Sequence, residues 1–148
     1  MTKEVLVSVK GLQVSPDTGE DTVEVIAPGE YYFKNGKHYV LYNEVEEGTN
    51  EVTKNIIKFS KDYMEVTKKG TSSVHMIFET NKKNVTYYYT PYGSLHIGLD
   101  AKEINVSEEE NEISAKSVYG LEINYEHVAD CNISIMIKPR KNGEFKLV

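Results

Sequence analysis

The sequence predicts an all-β fold, a single antiparallel up-and-down β-barrel of about ten strands, with a β-sandwich as the alternative. Three observations carry this. Apolar residues recur at every second position through most of the chain, turn-forming pairs separate these runs at hairpin distances, and no segment shows the apolar period of a helix. A sheet of that size with one apolar face and no covering helix would leave the face wet, so closure is favoured and pairs the first strand with a late one.

Val5, Val7 and Val9 alternate with Leu6, Ser8 and Lys10, and Gly11 interrupts before Leu12 and Val14, which reads as a strand with a bulge. Ser15 to Gly19 is dense in turn formers. The β pattern resumes from Thr22 to Ile26, and Ala27-Pro28-Gly29 bends or splits the strand before Glu30 to Phe33. Asn35-Gly36 is a type I′ hairpin signal that sets Tyr32 beside Tyr39 and Phe33 beside His38. Strands follow at Lys37 to Val45, Glu51 to Phe59, Tyr63 to Lys68 and Ser73 to Glu79, with polar turns at 46–50, Lys61-Asp62, Lys69-Gly70 and Asn81 to Asn84.

Asn84 to Leu99 is the clearest hairpin. Pro91 suits the second position of a type I turn and Gly93 the left-handed position of a three-residue loop closed by a bulge. Thr90 then faces Ser94, and Tyr89, Tyr87 and Val85 stand opposite Leu95, Ile97 and Leu99, so Tyr87 and Tyr89 point inward and Tyr88 shares the outer face with His96. The second arm continues toward Val106. The acidic run Ser107 to Glu112 lacks a helical apolar period and reads as a solvated connector holding at most one helical turn. Odd positions are apolar from Ile113 to Tyr125 and again from Cys131 to Ile137. A Val128-Ala129-Asp130 loop keeps odd opposite odd by pairing His127 with Cys131 and Tyr125 with Ile133. Pro139 ends the last strand, and the tail to Val148 with Asn142-Gly143 folds back or frays.

With 148 residues the chain is read as one domain, 1–148, at 39% hydrophobic and 27% charged residues. The net charge is −6 and Arg140 is the single arginine among 17 basic residues, which disfavours nucleic acid as a partner. Apolar runs are too short to span a membrane, Met1 to Glu4 leads into a strand instead of a signal segment, and the lone Cys131 suits a reducing compartment, so a cytoplasmic location is expected.

No nucleotide motif occurs and no cofactor is expected. His38, His75, His96 and His127 lie singly on separate strands, and a His75/His96 metal cluster would need distant strands to converge, so no metal site is predicted. Cys131 falls in apolar register and no nucleophile elbow appears, so no catalytic residue is assigned. The compositional oddity is eleven tyrosines with no tryptophan. Tyr87, Tyr89, Tyr119 and Tyr125, with Tyr39, are the candidate ligand-binding residues of an aromatic-lined cavity; the alternative makes them the core of a filled barrel. The leading expectation is therefore a small, partly apolar ligand. A protein-interaction module or homo-oligomer is the rival, and a metabolite hydrolase ranks third.

Thr90-Pro91-Tyr92-Gly93 followed by Ser94-Leu95-His96-Ile97, with Val7-Ser8-Val9-Lys10-Gly11 and Leu121-Glu122-Ile123-Asn124-Tyr125, resembles the YwiB-like family of small β-barrel proteins from Gram-positive bacteria. The resemblance implies a calycin-like antiparallel barrel and an intracellular location. It implies no activity and no catalytic residue. True lipocalins carry a Gly-X-Trp motif near the start, which a chain without tryptophan cannot match, so ligand transport does not follow from that shape.

Overall fold

The structure, a computed structural model, describes residues 2–11, 24–45, 48 and 50–140. Ten antiparallel strands follow one another: β1 (Glu4–Lys10), β2 (Glu24–Lys34), β3 (Lys37–Val45), β4 (Val52–Ser60), β5 (Tyr63–Lys69), β6 (Ser73–Glu79), β7 (Lys82–Thr90), β8 (Gly93–Glu109), β9 (Glu112–Ile123) and β10 (Glu126–Pro139). Each pairs with its sequence neighbours, and β1 also pairs with β10, closing the barrel. The predicted all-β barrel and its closure are both present, because a period of two gives every strand one face to bury.

Alternate residues meet inside. Val5, Val7 and Val9 of β1 pack with Ile57 and Phe59 of β4, Met64 and Val66 of β5, Met76 and Phe78 of β6, and Ile133, Ile135 and Ile137 of β10 in one continuous core. Phe78 meets the Tyr119 ring edge-on at 4.9 Å, although β7 and β8 lie between their strands around the wall. The interior at that level is filled by side chains.

The Asn35-Gly36 turn is as predicted. Both residues take positive φ (53° and 75°), and Tyr32 pairs with Tyr39 and Phe33 with His38. Three sequence expectations are corrected. The β7–β8 turn holds two residues, Pro91 and Tyr92, instead of three, so Thr90 pairs with Gly93, Tyr88 with Leu95 and Tyr87 with His96. The Thr90 hydroxyl fixes this by accepting from the Tyr92 N–H at 3.1 Å and donating to the Gly93 carbonyl at 2.8 Å. A one-residue change reverses which side chains of β7 face in.

The acidic run is no helical connector. β8 continues to Glu109 and turns through Glu110-Asn111 into β9. Between β9 and β10 the turn is Asn124-Tyr125, again with positive φ at both residues, and a bulge between His127 and Ala129 restores odd opposite odd. Cys131 thus faces Tyr119, and Ile133 faces Ser117. The predicted loops at 15–19 and 46–50, the extension of the first strand past Gly11 and the 141–148 tail fall wholly or partly outside the described residues.

Candidate functional site

A concave site arises where β2 leaves β3. Their ladder begins at Gly29↔Tyr42 and runs to the hairpin, whereas Glu24–Pro28 pair with β1 alone. The reason lies in Pro28. Tyr31 donates its N–H to the Lys3 carbonyl on the β1 side, and strand N–H groups alternate, so positions 28 and 30 address β3. Proline has no N–H to give, and the ladder stops. Gly29 permits the close approach beside it: a Cβ there would lie 2.7 Å from the Leu41 carbonyl oxygen and 2.9 Å from Val7 Cγ2.

The outer wall at this junction holds a groove of about 600 Å³. Pro28, Leu41 and Ile56 supply apolar surface, Asn43 and Lys54 polar surface, and Lys3, Glu4, Glu30 and Arg140 charge. Arg140 stands 3.6 Å from Glu4, whereas Lys54 has no ion pair among the described residues. The row behind is polar as well. Lys68 Nζ donates to Glu44 Oε1 at 2.8 Å and to Asn55 Oδ1 at 2.9 Å, and Asn55 is almost fully buried. Burial, and secondarily the Glu44 charge, pushes the Tyr42 phenol well above its ordinary pKa.

A second polar constellation sits toward the opposite rim. Tyr31 Oη lies 2.6 Å from His38 Nδ1, and His38 Nε2 lies 2.5 Å from Glu108 Oε1. A carboxylate only accepts, so His38 Nε2 donates to Glu108 while Nδ1 pairs with the Tyr31 hydroxyl. His38 also stacks on Phe59 at 4.9 Å. Burial first, and the Glu108 charge second, raise the Tyr31 pKa. The exposed end of this relay is Glu108, whose side chain is 61% exposed, while Tyr31 is 8% exposed.

The five predicted tyrosines divide. Tyr119 alone is buried inside, its hydroxyl beside the Cys131 thiol, and the Ser117 hydroxyl finds no hydrogen-bond partner among the described residues. Tyr39 lies on the outer face of β3 with Lys34 and Lys58 over its ring at 5.8 and 5.3 Å. Tyr87, Tyr89 and Tyr125, expected in the interior, stand outside at 50%, 58% and 79% exposure, a consequence of the two-residue turn at 91–92 and of Tyr125 occupying its own turn. They are nonetheless brought together: Tyr87 meets Tyr89 at 6.2 Å and His96 edge-on at 5.4 Å, and His96 stacks on Tyr125 at 4.3 Å.

The family model described as "Domain of unknown function (DUF1934)" matches residues 7–135. This chain belongs to the DUF1934 family. Among solved structures, the ywiB protein from Bacillus subtilis matches with a TM-score of 0.77 and 22% sequence identity, covering 94% of this chain and 93% of that one. At that identity the likeness establishes the fold, the YwiB-like barrel that the sequence resemblance implied. No curated protein matches the chain.

Elsewhere on this DUF1934 barrel, Glu65 collects partners on the outer wall. It accepts from Tyr63 and lies 2.5 Å from His75 Nε2 and 3.5 Å from Lys58 Nζ. Burial alone would raise its pKa, but the Tyr63 and His75 hydrogen bonds and the Lys58 charge outweigh it and hold the carboxyl low. His75 is thus engaged with Glu65 and His96 with tyrosines. Among the described residues no three His, Cys, Asp or Glu side chains gather as metal ligands, and no helix is long and apolar enough to cross a membrane. Sequence reading missed Lys54, Leu41 and Ile56. The Ala-Pro-Gly break at 27–29 was their one legible signal.

Proposed function

We propose that this protein binds a small, partly apolar molecule in the groove at the β2–β3 junction and acts as a cytoplasmic binding protein. The observation that carries this reading is the groove itself, about 600 Å³ with Pro28, Leu41 and Ile56 beside Lys54, which has no ion pair among the described residues. Small-molecule sites span about 300–1,000 Å³ and combine apolar walls with a few placed polar groups. Tyr87, Tyr89 and Tyr125 stand outside, so this reading rests on the outer wall in place of the aromatic cavity expected from the sequence. Lys54 favours a ligand with an anionic group and the Leu41–Ile56 surface an aliphatic or aromatic body.

A thermal-shift screen of small carboxylates and phosphates, followed by amide chemical-shift mapping, tests it. A ligand at a hundred times its dissociation constant adds about 2.7 kcal/mol of stability. Perturbations should centre on Leu41, Asn43, Lys54 and Ile56 and vanish in Ile56→Glu while the fold persists. Perturbations confined to the barrel interior, or unaffected by Ile56→Glu, refute the reading.

A further inference from the structure

We propose that the outer face of β7, β8 and the β9–β10 turn docks a basic, lysine- or arginine-bearing segment of a partner protein. The first observation is that β7 is inside out. Val85, Tyr87 and Tyr89 face solvent at 54%, 50% and 58% exposure, while Asn84, Thr86 and Tyr88 occupy the positions that face in, opposite Leu99, Ile97 and Leu95. A strand placed only for stability would be expected to bury its more apolar set. The Thr90 bracket around Pro91-Tyr92 holds it in the other register.

The second observation concerns what lies over the rings. An aromatic face attracts cations, and this molecule uses that attraction repeatedly. Lys3 sits over Tyr32 at 5.5 Å, Lys37 over Tyr63 at 4.6 Å, and Lys34 and Lys58 over Tyr39 at 5.8 and 5.3 Å. Among the described residues no cation sits over Tyr87, Tyr89 or Tyr125. Neighbouring lysines are engaged by carboxylates: Lys83 lies 2.8 Å from Glu122 and Lys102 lies 2.7 Å from Asp100. The chain carries a net charge of −6, so its field draws a basic segment and repels an acidic one. Exposed Val85 extends the rings with aliphatic surface that suits lysine methylenes. The occupant is thereby a cationic side chain on a flexible segment. A neutral apolar helix would gain apolar contact here but no cation–π attraction.

The experiment titrates the full chain with a short Gly-Ser peptide carrying lysines, and with the same peptide acetylated at every lysine, which removes the charge and keeps the length. Tyr87→Leu with Tyr125→Leu should weaken the lysine peptide by about tenfold or more, Tyr87→Phe with Tyr125→Phe should retain it within about twofold, and the acetylated peptide should bind neither. Should the leucine variant not fold, amide shifts of the unaltered protein serve instead and should move at Tyr87, Tyr89, His96 and Tyr125. Equal binding of charged and acetylated peptides, no binding of either, or shifts elsewhere would overturn the proposal. A dimer in light scattering that Tyr87→Leu dissolves would also overturn it, by assigning the face to a second copy of the chain.

Discussion

His38 and Glu108, 70 residues apart in the chain, meet at 2.5 Å on the inner face of the barrel. A bulge makes the meeting possible. β8 points Ile97, Leu99 and Ala101 inward, then slips register between Ala101 and Glu103, so that Ile104, Val106 and Glu108 take over the inner face. Without the extra residue Glu108 would face solvent on the other side of the wall.

Replacing His38 by Ala removes a ring packed on Phe59 and leaves the buried Tyr31 hydroxyl without its hydrogen-bond partner. Urea unfolding should show a loss of about 2–4 kcal/mol. Glu108→Gln should cost less, about 0.5–1.5 kcal/mol, because that side chain is 61% exposed and solvent screens the pair. A double-mutant cycle on the two positions measures their coupling, and strict additivity would show that the contact contributes nothing.

Truncation of the consecutive tyrosines reads the β7 register directly. Tyr88→Ala should destabilise by about 2–4 kcal/mol, since this ring packs against the core beside Leu95. Tyr87→Ala and Tyr89→Ala, on the exposed face, should each cost about 1 kcal/mol or less. The reverse order would restore the three-residue turn.

That contrast marks what the sequence made legible. Parity put Val5, Val7 and Val9 on one face of β1 and Ile133, Ile135 and Ile137 on one face of β10, and these are the faces the barrel buries. β7 breaks the agreement, and its register follows from a threonine hydroxyl at a turn, a contact that hydrophobic periodicity does not encode. The clustering of Tyr87 with Tyr125 depends on a β7–β8 turn one residue tighter than read and on a β9–β10 turn at 124–125 instead of 128–130. Glu108 reaches His38 through a bulge that the pattern around Lys102 does not announce.

Glu65 should make stability depend on acidity. Its carboxyl is held below its ordinary value of 4.5, so its contribution is present above that pH and is lost as pH falls through the lower folded value. Below about pH 4.5, Glu65→Gln should therefore lose stability less steeply than the unaltered chain, as followed by thermal melts from neutral to acid pH. Parallel curves would remove Glu65 from the acid transition.

Cys131 should react slowly in the native barrel. Burial is the main cause that raises its thiol above the ordinary 9.0; the nearby Asp130 charge adds to this and a Tyr119 hydrogen bond opposes it. Near pH 8 the thiolate is scarce, so labelling with a disulfide reagent should be slow in the folded chain and should accelerate on addition of urea. Equal rates would mean an open, reactive thiol.

Pro28 offers the most direct test of why the groove exists. Position 28 addresses β3, where its missing N–H leaves Asn43 beyond the last paired row, Gly29↔Tyr42. Pro28→Thr supplies a donor and a strand-forming side chain, so the ladder should extend by one row to place residue 28 opposite Asn43. Cross-strand contacts in NMR spectra and slowed exchange of the new amide would report it, and stability should hold or rise. The same closure narrows the space between Pro28, Leu41 and Asn43, so a groove ligand should bind about tenfold more weakly or worse. If residue 28 gains the hydrogen bond and the ligand binds as before, the groove's shape does not depend on the splayed strands. If no hydrogen bond forms, the divergence of β2 from β3 has another cause, and the close approach that Gly29 allows to Leu41 and Val7 is the next place to test, with Gly29→Ala.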